Sequence, residues 1–286
     1  MKILNILEAQ LRQILDYFYA RWPQSIPSTD RLQHCKIISH RGVYDNLKVF
    51  ENTFSAFDRA KAQGVWGIEF DLRWTRDLCP VASHDSDLRR VFGSKLEIRK
   101  TPLAELKSKC PLVPSLAEMI QRYGKQIHLM VEIKAEAYPD PIRQGRILKG
   151  LFSPLEPEED YHFLTMTPKM FDLIEFVPKS TFLPIAGLNF FRLSKLAIEQ
   201  HYSGLAGHYV LLTKSRLKKH KELKQKLATG YVNSKNCLFR ELNRNVEWVF
   251  SDNAVELQKI VNQLLQACQV QGSKVQGSQV QDTRIC

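Results

Sequence analysis

Apolar and polar positions along this chain follow two different periods, and the switching between them is its dominant signal. Gly67-Ile68-Glu69-Phe70-Asp71-Leu72-Arg73 alternates strictly. Successive side chains on a strand point to opposite faces, so Ile68, Phe70 and Leu72 share one face and Glu69 and Asp71 the other. Short apolar runs suited to strands also occupy 36–40, 127–134, 162–166, 181–186, 204–208, 229–233 and 247–251; with 67–73 they make eight expected strands. Between them the spacing becomes helical. Phe54, Phe57 and Ala60 fall on one face, and helical patterns cover Leu116 to Tyr123, Ile142 to Phe152 and Arg192 to Tyr202. Strands alternating with helices predict a parallel sheet, and eight such units in about 250 residues predict a (β/α)8 TIM barrel.

The same pattern divides the chain. Residues 1–33 hold an amphipathic helix over 3–22, with Leu4, Leu7, Leu11, Ile14, Leu15, Phe18 and Trp22 on one face and Glu8, Arg12 and Asp16 on the other. Pro23 and Pro27 end it. This helix is expected to cover the bottom of the barrel or to pack on its side. Residues 34–265 form the barrel. Gln269 to Gln281 repeats Val-Gln-Gly-Ser and lacks aromatics, so residues 266–286 are expected to be a flexible tail. The segment from Cys79 to Pro111 is long for a connection and is expected to fold over the barrel mouth as a loop or small insertion.

Charge adds a constraint on partners. The chain has 286 residues and a formal net charge of +11, which suits phosphorylated substrates, acidic lipid surfaces or nucleic acid. No zinc finger, helix-turn-helix or aromatic-interleaved basic motif is present, so nucleic acid is the weakest of the three. Lys214 to Lys226 carries seven basic residues besides His220; this is read as a solvated helix face, with peripheral contact to an anionic membrane as the sharper alternative. The six cysteines are scattered, which signals neither a zinc site nor a disulfide framework. No apolar run is long enough to span a membrane and no secretory leader is visible, so a cytoplasmic protein is expected.

Candidate chemistry gathers at the ends of the expected strands. His40 and Arg41 end the first, Glu69 and Asp71 lie on the second, His84 follows Pro80-Val81-Ala82-Ser83, and Glu132 and Lys134 end the strand at 127–134. Charged groups at strand ends suit a site at a barrel mouth. Three carboxylates meeting there need a cation, because like charges raise one another's pKa. An all-oxygen set favours Mg2+ or Ca2+, with Mn2+ a third choice, over zinc. The blander readings are a solvent-facing edge strand for Glu69 and Asp71, and a salt bridge along one strand for Glu132 and Lys134.

In order and spacing, His40-Arg41-Gly42, Glu51-Asn52-Thr53, Glu69-x-Asp71, Thr75-Arg76-Asp77, His84-Asp85 and Glu132-Ile133-Lys134 resemble the signature of the glycerophosphodiester phosphodiesterase family. The resemblance runs over about 36–265 and is strongest in the first half. It implies metal-dependent hydrolysis of a small-molecule glycerophosphodiester to glycerol 3-phosphate and an alcohol. Glu69, Asp71 and Glu132 would be the metal ligands and His40 and His84 the acid and base. Arg41 and Lys134 would bind the phosphate. In the implied reaction the glycerol 2-hydroxyl attacks phosphorus, and water then opens the cyclic phosphate.

The chain departs from the family in places. Phe50 stands where proline is usual before Glu51-Asn52-Thr53, a change confined to a loop. Tyr231 stands where tryptophan is usual, keeping an aromatic pocket wall but adding a hydroxyl. Ser251-Asp252-Asn253 is the loosest match. Two rival functions use the same residues: a lysophospholipase D acting on lysolipids, and a catalytically silent barrel that binds phosphate or a lipid surface. Loss of an acid or a histidine would signal the silent barrel, and none is lost.

Overall fold

The structure is a computed structural model that describes residues 14–279, with side chains of the last helix as far as Gln269. Eight parallel strands close on themselves in the order β1 (Lys36–His40), β9 (Trp248–Ser251), β8 (Lys226–Gly230), β7 (Gly204–His208), β6 (Phe182–Ala186), β5 (Tyr161–Thr165), β4 (His128–Ile133) and β2 (Gly67–Trp74), and β2 pairs back to β1. The expected (β/α)8 barrel is therefore present. A ninth strand, β3 (Pro80–Ala82), adds antiparallel to β2.

Alternation along each strand sorts the core into two layers. Ile68, Phe70 and Leu72 on β2 and Leu129, Val131 and Ile133 on β4 face outward into the main core, against the surrounding helices. Ile38, Met130, Leu164, Leu183, Ala206, Ala228, Trp248 and Phe250 fill a separate interior cluster. Helices are punctuated by their own residues. Ser115 and Glu118 form a capping box that starts Leu116–Tyr123, and Asp140 caps Pro141–Phe152, which begins with proline.

Two expectations shift and a third narrows to one of its alternatives. The strand expected at 229–233 lies at Lys226–Gly230. Tyr231 has φ of 65°, a left-handed conformation that turns the chain out of the sheet, and the small residues Ala228 and Thr229 stay in it. The helix at the N-terminus is described over 14–21; Leu4, Leu7 and Leu11 lie outside the described residues. It packs on the barrel's side toward the mouth, not under its bottom. Tyr19 meets Tyr209, which follows β7, edge to face with ring centroids 5.6 Å apart, and Asn236 donates to the carbonyl of Ala20 at 2.8 Å. Ile14, Phe18 and Trp22 are exposed. The last helix runs Ala254–Gln279, through the first part of the expected flexible tail. Its first half is nucleated by packing of Ala254, Leu257 and Val261 into the core, and propagating a formed helix costs far less than starting one.

The long segment after Cys79 is a small folded insertion. Val81, Leu88, Ile98, Leu106, Cys110 and Val113 make its own apolar core. It contains the helices Arg89–Phe92 and Leu103–Lys109, and the Phe92 ring packs on that of Phe50 with centroids 5.3 Å apart. Phe50, the residue standing in for proline, thus joins the insertion to the first mouth loop. The described cysteines carry no disulfide. Among the described residues no helix is long and apolar enough to cross a membrane.

Candidate active site

Strand register builds the centre of the site. Glu69 and Asp71 are two apart on β2, and Asp71 lies directly opposite Glu132 on β4, so all three carboxylates face the barrel interior. One oxygen from each lies within 4.8 Å of the others, and all three residues are buried. β2 is an interior strand, so Glu69 and Asp71 do not face solvent; the expected salt bridge between Glu132 and Lys134 is present, and Lys134 also reaches Asp71. Lys134 Nζ donates to Asp71 Oδ1 at 2.8 Å and to Glu132 Oε1 at 2.9 Å.

The turn after β1 brings the other groups to the same place. Arg41 and Gly42 both have positive φ, 57° and 83°. A Cβ on Gly42 would lie 2.7 Å from the backbone of Ala56, so only glycine fits that close approach. This turn points the Arg41 amide at Glu69 Oε2, 3.2 Å away, and sets its Nε 3.1 Å from Asp71 Oδ2. Arg41 Nη1 donates to Glu51 Oε1 at 3.2 Å. Asn52, also at positive φ, donates to Asp71 Oδ2 at 3.0 Å. Left-handed non-glycine residues are costly and gather where surrounding structure holds them for function.

Electrostatics separates the three acids. Burial and the Asp71 charge push the Glu69 carboxyl well above the usual carboxylate range. Burial also opposes ionisation of Asp71, but Lys134 and Arg41 hold it below that range. Glu132 is raised by burial and by Asp71, with Lys134 opposing. The cluster therefore carries more carboxylate than its fixed cations balance.

Each histidine is held through Nδ1. His40 donates to Asp252 Oδ1 at 2.7 Å, and its Nε2 lies 3.9 Å from Glu69 Oε2. Burial lowers its pKa, but the Asp252 hydrogen bond and the Glu69 charge more than compensate and leave it raised. His84 pairs with Asp85 at 2.7 Å, and Asp85 is shared with Arg90 Nε at 2.6 Å. Burial, with Arg41 and Lys134 nearby, leaves His84 lowered despite the Asp71 charge. Arg90 also forks onto Glu51 at 2.7 and 2.8 Å, which ties the insertion to the mouth loop that carries Arg41's partner.

His40, Arg41, Glu69, His84, Glu132, Lys134 and Tyr231, seven of the eight residues expected from the sequence, line one cavity of about 200 Å³ at the C-terminal ends of the strands. The eighth, Asp71, lies beneath it, bonded to Lys134 and Asn52. Tyr231 is about 42% exposed, with its ring 5.6 Å from that of His208. The opposite wall is apolar, formed by Leu164, Ile185, Leu211 and Phe250.

Sequence reasoning missed Asp252, Arg90 and the bonding role of Glu51 and Asn52. Asp252 sits in the segment that matched the family least. Arg90 has no motif around it and reaches the site only because the insertion folds back. Glu51 and Asn52 were visible as a motif, but spacing did not say what they touch.

Comparison with known proteins bears on what such a site does. Residues 40–146 match the model of the glycerophosphoryl diester phosphodiesterase family. A glycerophosphodiester phosphodiesterase of Caldanaerobacter subterraneus is 29% identical over 127 residues, 40% of this chain and 51% of that protein. The chain thus spans about half the length of the curated relatives it matches. In fold, a glycerophosphodiester phosphodiesterase of Thermotoga maritima aligns with a TM-score of 0.67 at 19% identity, over 79% of this chain and 98% of that one. A phosphodiesterase of Oleispira antarctica, solved with the product sn-glycerol-3-phosphate, aligns at 0.66 and 20%, over 79% and 96%. Residues 40–146 of this chain are thus similar in sequence to the glycerophosphodiester phosphodiesterases, and its barrel has the fold of the solved ones.

Proposed function

We propose that this chain is a phosphoric diester hydrolase that cleaves glycerophosphodiesters to glycerol 3-phosphate and an alcohol. The observation that carries the reading is the meeting of three carboxylates, two cations and two imidazoles around one cavity, on a barrel whose relatives include a phosphodiesterase solved with sn-glycerol-3-phosphate.

The donor set fits a hard divalent ion. All three acids offer oxygen, they converge on one point, and among the described residues Glu69 faces no side-chain cation within ion-pair distance except His40 at 3.9 Å. Glu69, Asp71 and Glu132 would hold it. A bound ion supplies positive charge against the phosphoryl oxygens.

The chain's own residues do the rest. Arg41 and Lys134 neutralise a diester that is itself anionic. In the first step His84 Nε2 takes the proton of the glycerol 2-hydroxyl, whose oxygen attacks phosphorus. The bond to the leaving alcohol breaks, and His40 Nε2 protonates that alcohol. In the second step His40 takes a proton from water, the water oxygen attacks phosphorus, and the ring P–O bond breaks as His84 returns its proton to the 2-oxygen. The partners of the two rings support this direction. Asp252 is hydrogen-bonded to His40 and stabilises its imidazolium, whereas Asp85 divides its charge between His84 and Arg90. The chemistry needs a free 2-hydroxyl, so diacyl lipids are not substrates.

A second reading is favoured by one feature. Met166, Leu188, Phe191 and Tyr231, all on connections leaving the C-terminal ends of strands, are exposed, and the apolar cavity wall continues toward them. A lysolipid with a free 2-hydroxyl would place its acyl chain along that wall and lose its head group by the same two steps.

One assay separates these readings. Purified protein is given glycerophosphocholine, glycerophosphoethanolamine or lysophosphatidylcholine, with and without a chelator, and glycerol 3-phosphate, lysophosphatidate and free alcohol are followed. Turnover of the first two identifies the diesterase, and turnover of the third alone identifies the lysolipase. No turnover of any would leave a silent barrel.

A further inference from the structure

A larger concavity than the catalytic cavity lies on the barrel's outer wall. It has a volume of about 520 Å³ and runs between the helix Lys214–Glu222 and the C-terminal end of the helix Lys235–Asn243. Lys214, Leu217, Lys218 and Lys221, spaced i, i+3, i+4, i+7, present one helical face to it. Lys224 and Lys226 continue that wall, Arg244 stands in the lining, and the start of β9 contributes Trp248. Arg244 is paired with Glu241, which leaves five lysines facing one lining carboxylate, Glu247. Lys226 reaches Glu247 only at 3.8 Å, and Lys218 reaches Glu222 at the same distance. Among the described residues no acid lies within ion-pair distance of Lys214, Lys221 or Lys224.

We propose that this groove binds an anion carrying two or more adjacent phosphoryl groups, at a site separate from the barrel mouth. A stripe of lysines on a convex helix would be an ordinary solvated face. Here the stripe turns into a concavity, so the charges converge on one volume and raise the potential inside it. Compact ammonium groups on flexible stems suit a chain of phosphoryl oxygens better than a single flat carboxylate. The lysines are solvent-exposed but line a groove between two helices, which suits a discrete anion small enough to enter it. Lys36, which begins β1 beside Trp248, adds support: burial and the nearby Lys226 charge lower its pKa, and Glu247 only partly offsets them.

The site lies away from the catalytic cavity, whose residues come from the opposite ends of the strands. The inference does not depend on the reaction carried out there. Lys226 and Trp248 are the first residues of β8 and β9, whereas Tyr231 and Asp252 follow their last.

Titration calorimetry on the full chain tests it, with inorganic tripolyphosphate as probe, orthophosphate as control, no added divalent ion, and saturating sn-glycerol 3-phosphate to occupy the mouth. The expected result is saturable binding of one tripolyphosphate per chain, at least tenfold tighter than orthophosphate, that weakens steeply between low and physiological salt. Lys218→Gln with Lys221→Gln should weaken it at least tenfold, and Lys214→Gln with Lys224→Gln should do so independently, with melting temperatures unchanged. Vesicles containing anionic lipid form a second arm. Absence of saturable binding at low salt, equal affinity for orthophosphate, or binding unchanged in both double variants would overturn the proposal. So would vesicle binding lost in those variants while tripolyphosphate binding persists.

Discussion

Asp252 Oδ1 lies 2.7 Å from His40 Nδ1, which leaves Nε2 of the same ring directed at Glu69. A residue from the last strand's end thus orients an imidazole from the first strand's end, and the pair exists only because β1 and β9 are neighbours in the closed sheet. The hydrogen bond raises the His40 pKa against the effect of burial. Asp252→Asn should therefore lower it. If His40 donates the proton to the leaving alcohol, activity falls as the pH rises through its pKa, and that limb should move to lower pH in the variant. Turnover at neutral pH should drop about 10-fold or more. A pH–rate profile of kcat identical to that of the parent would refute the orienting role.

His40→Ala and His84→Ala should each lose about 10²–10⁴ in turnover while folding survives. Both side chains reach the cavity and are partly exposed, so their removal opens little core. Initial rates with glycerophosphocholine, alongside circular dichroism melts, check both halves. Near-normal turnover in both variants would remove the acid–base assignment.

Glu69 is the acid with least to balance it. Its folded pKa is raised above the unfolded value, so the folded state binds the proton more tightly and stability falls as the pH rises through the unfolded pKa toward the folded one. Glu69→Gln should therefore be at least as stable as the parent in chelator. It should also lose the rise in Tm that Mg2+ or Ca2+ gives the parent, together with its activity. A variant that keeps a full metal-induced rise in Tm would take Glu69 out of the ligand set.

Acid should destabilise the barrel at its other end. His128 and His162 share a hydrogen bond of 2.9 Å, and the His128 ring stacks on Trp66 with centroids 4.2 Å apart. Burial lowers the His128 pKa from 6.5 to about 4, and burial with the neighbouring His128 lowers that of His162 well below 6.5. Here the unfolded chain is the better proton binder, so stability is lost as the pH falls through 6.5 toward 4. For His128 alone the loss is about 3 kcal/mol. Urea midpoints at pH 7.5 and 4.5 measure it, and His128→Gln with His162→Gln should flatten the difference. An equally steep pH dependence in the double variant would assign acid sensitivity to the carboxylates instead.

Much of this protein is legible from its residues one after another. The period-two alternation at 67–73 determines that Glu69 and Asp71 share a face, because a pleated strand permits nothing else. Eight strands with helical patterns between them point to the barrel, and a barrel puts strand ends at a mouth. The bounds of β8 were harder to read: the strand ends at Gly230, three residues before the expected end, and the left-handed Tyr231 follows it. Tertiary structure alone decided what stands behind each functional group. Asp252, 212 residues from His40, becomes its partner only through ring closure. Arg90 reaches Glu51 only because the insertion packs its own core and docks through Phe92 on Phe50. The lysines of 214–226 read as a solvated stripe in one dimension and line a groove in three. Periodicity reports which face a residue occupies, since that is a local property of the backbone. The object opposite that face is set by long-range packing, and no local pattern encodes it.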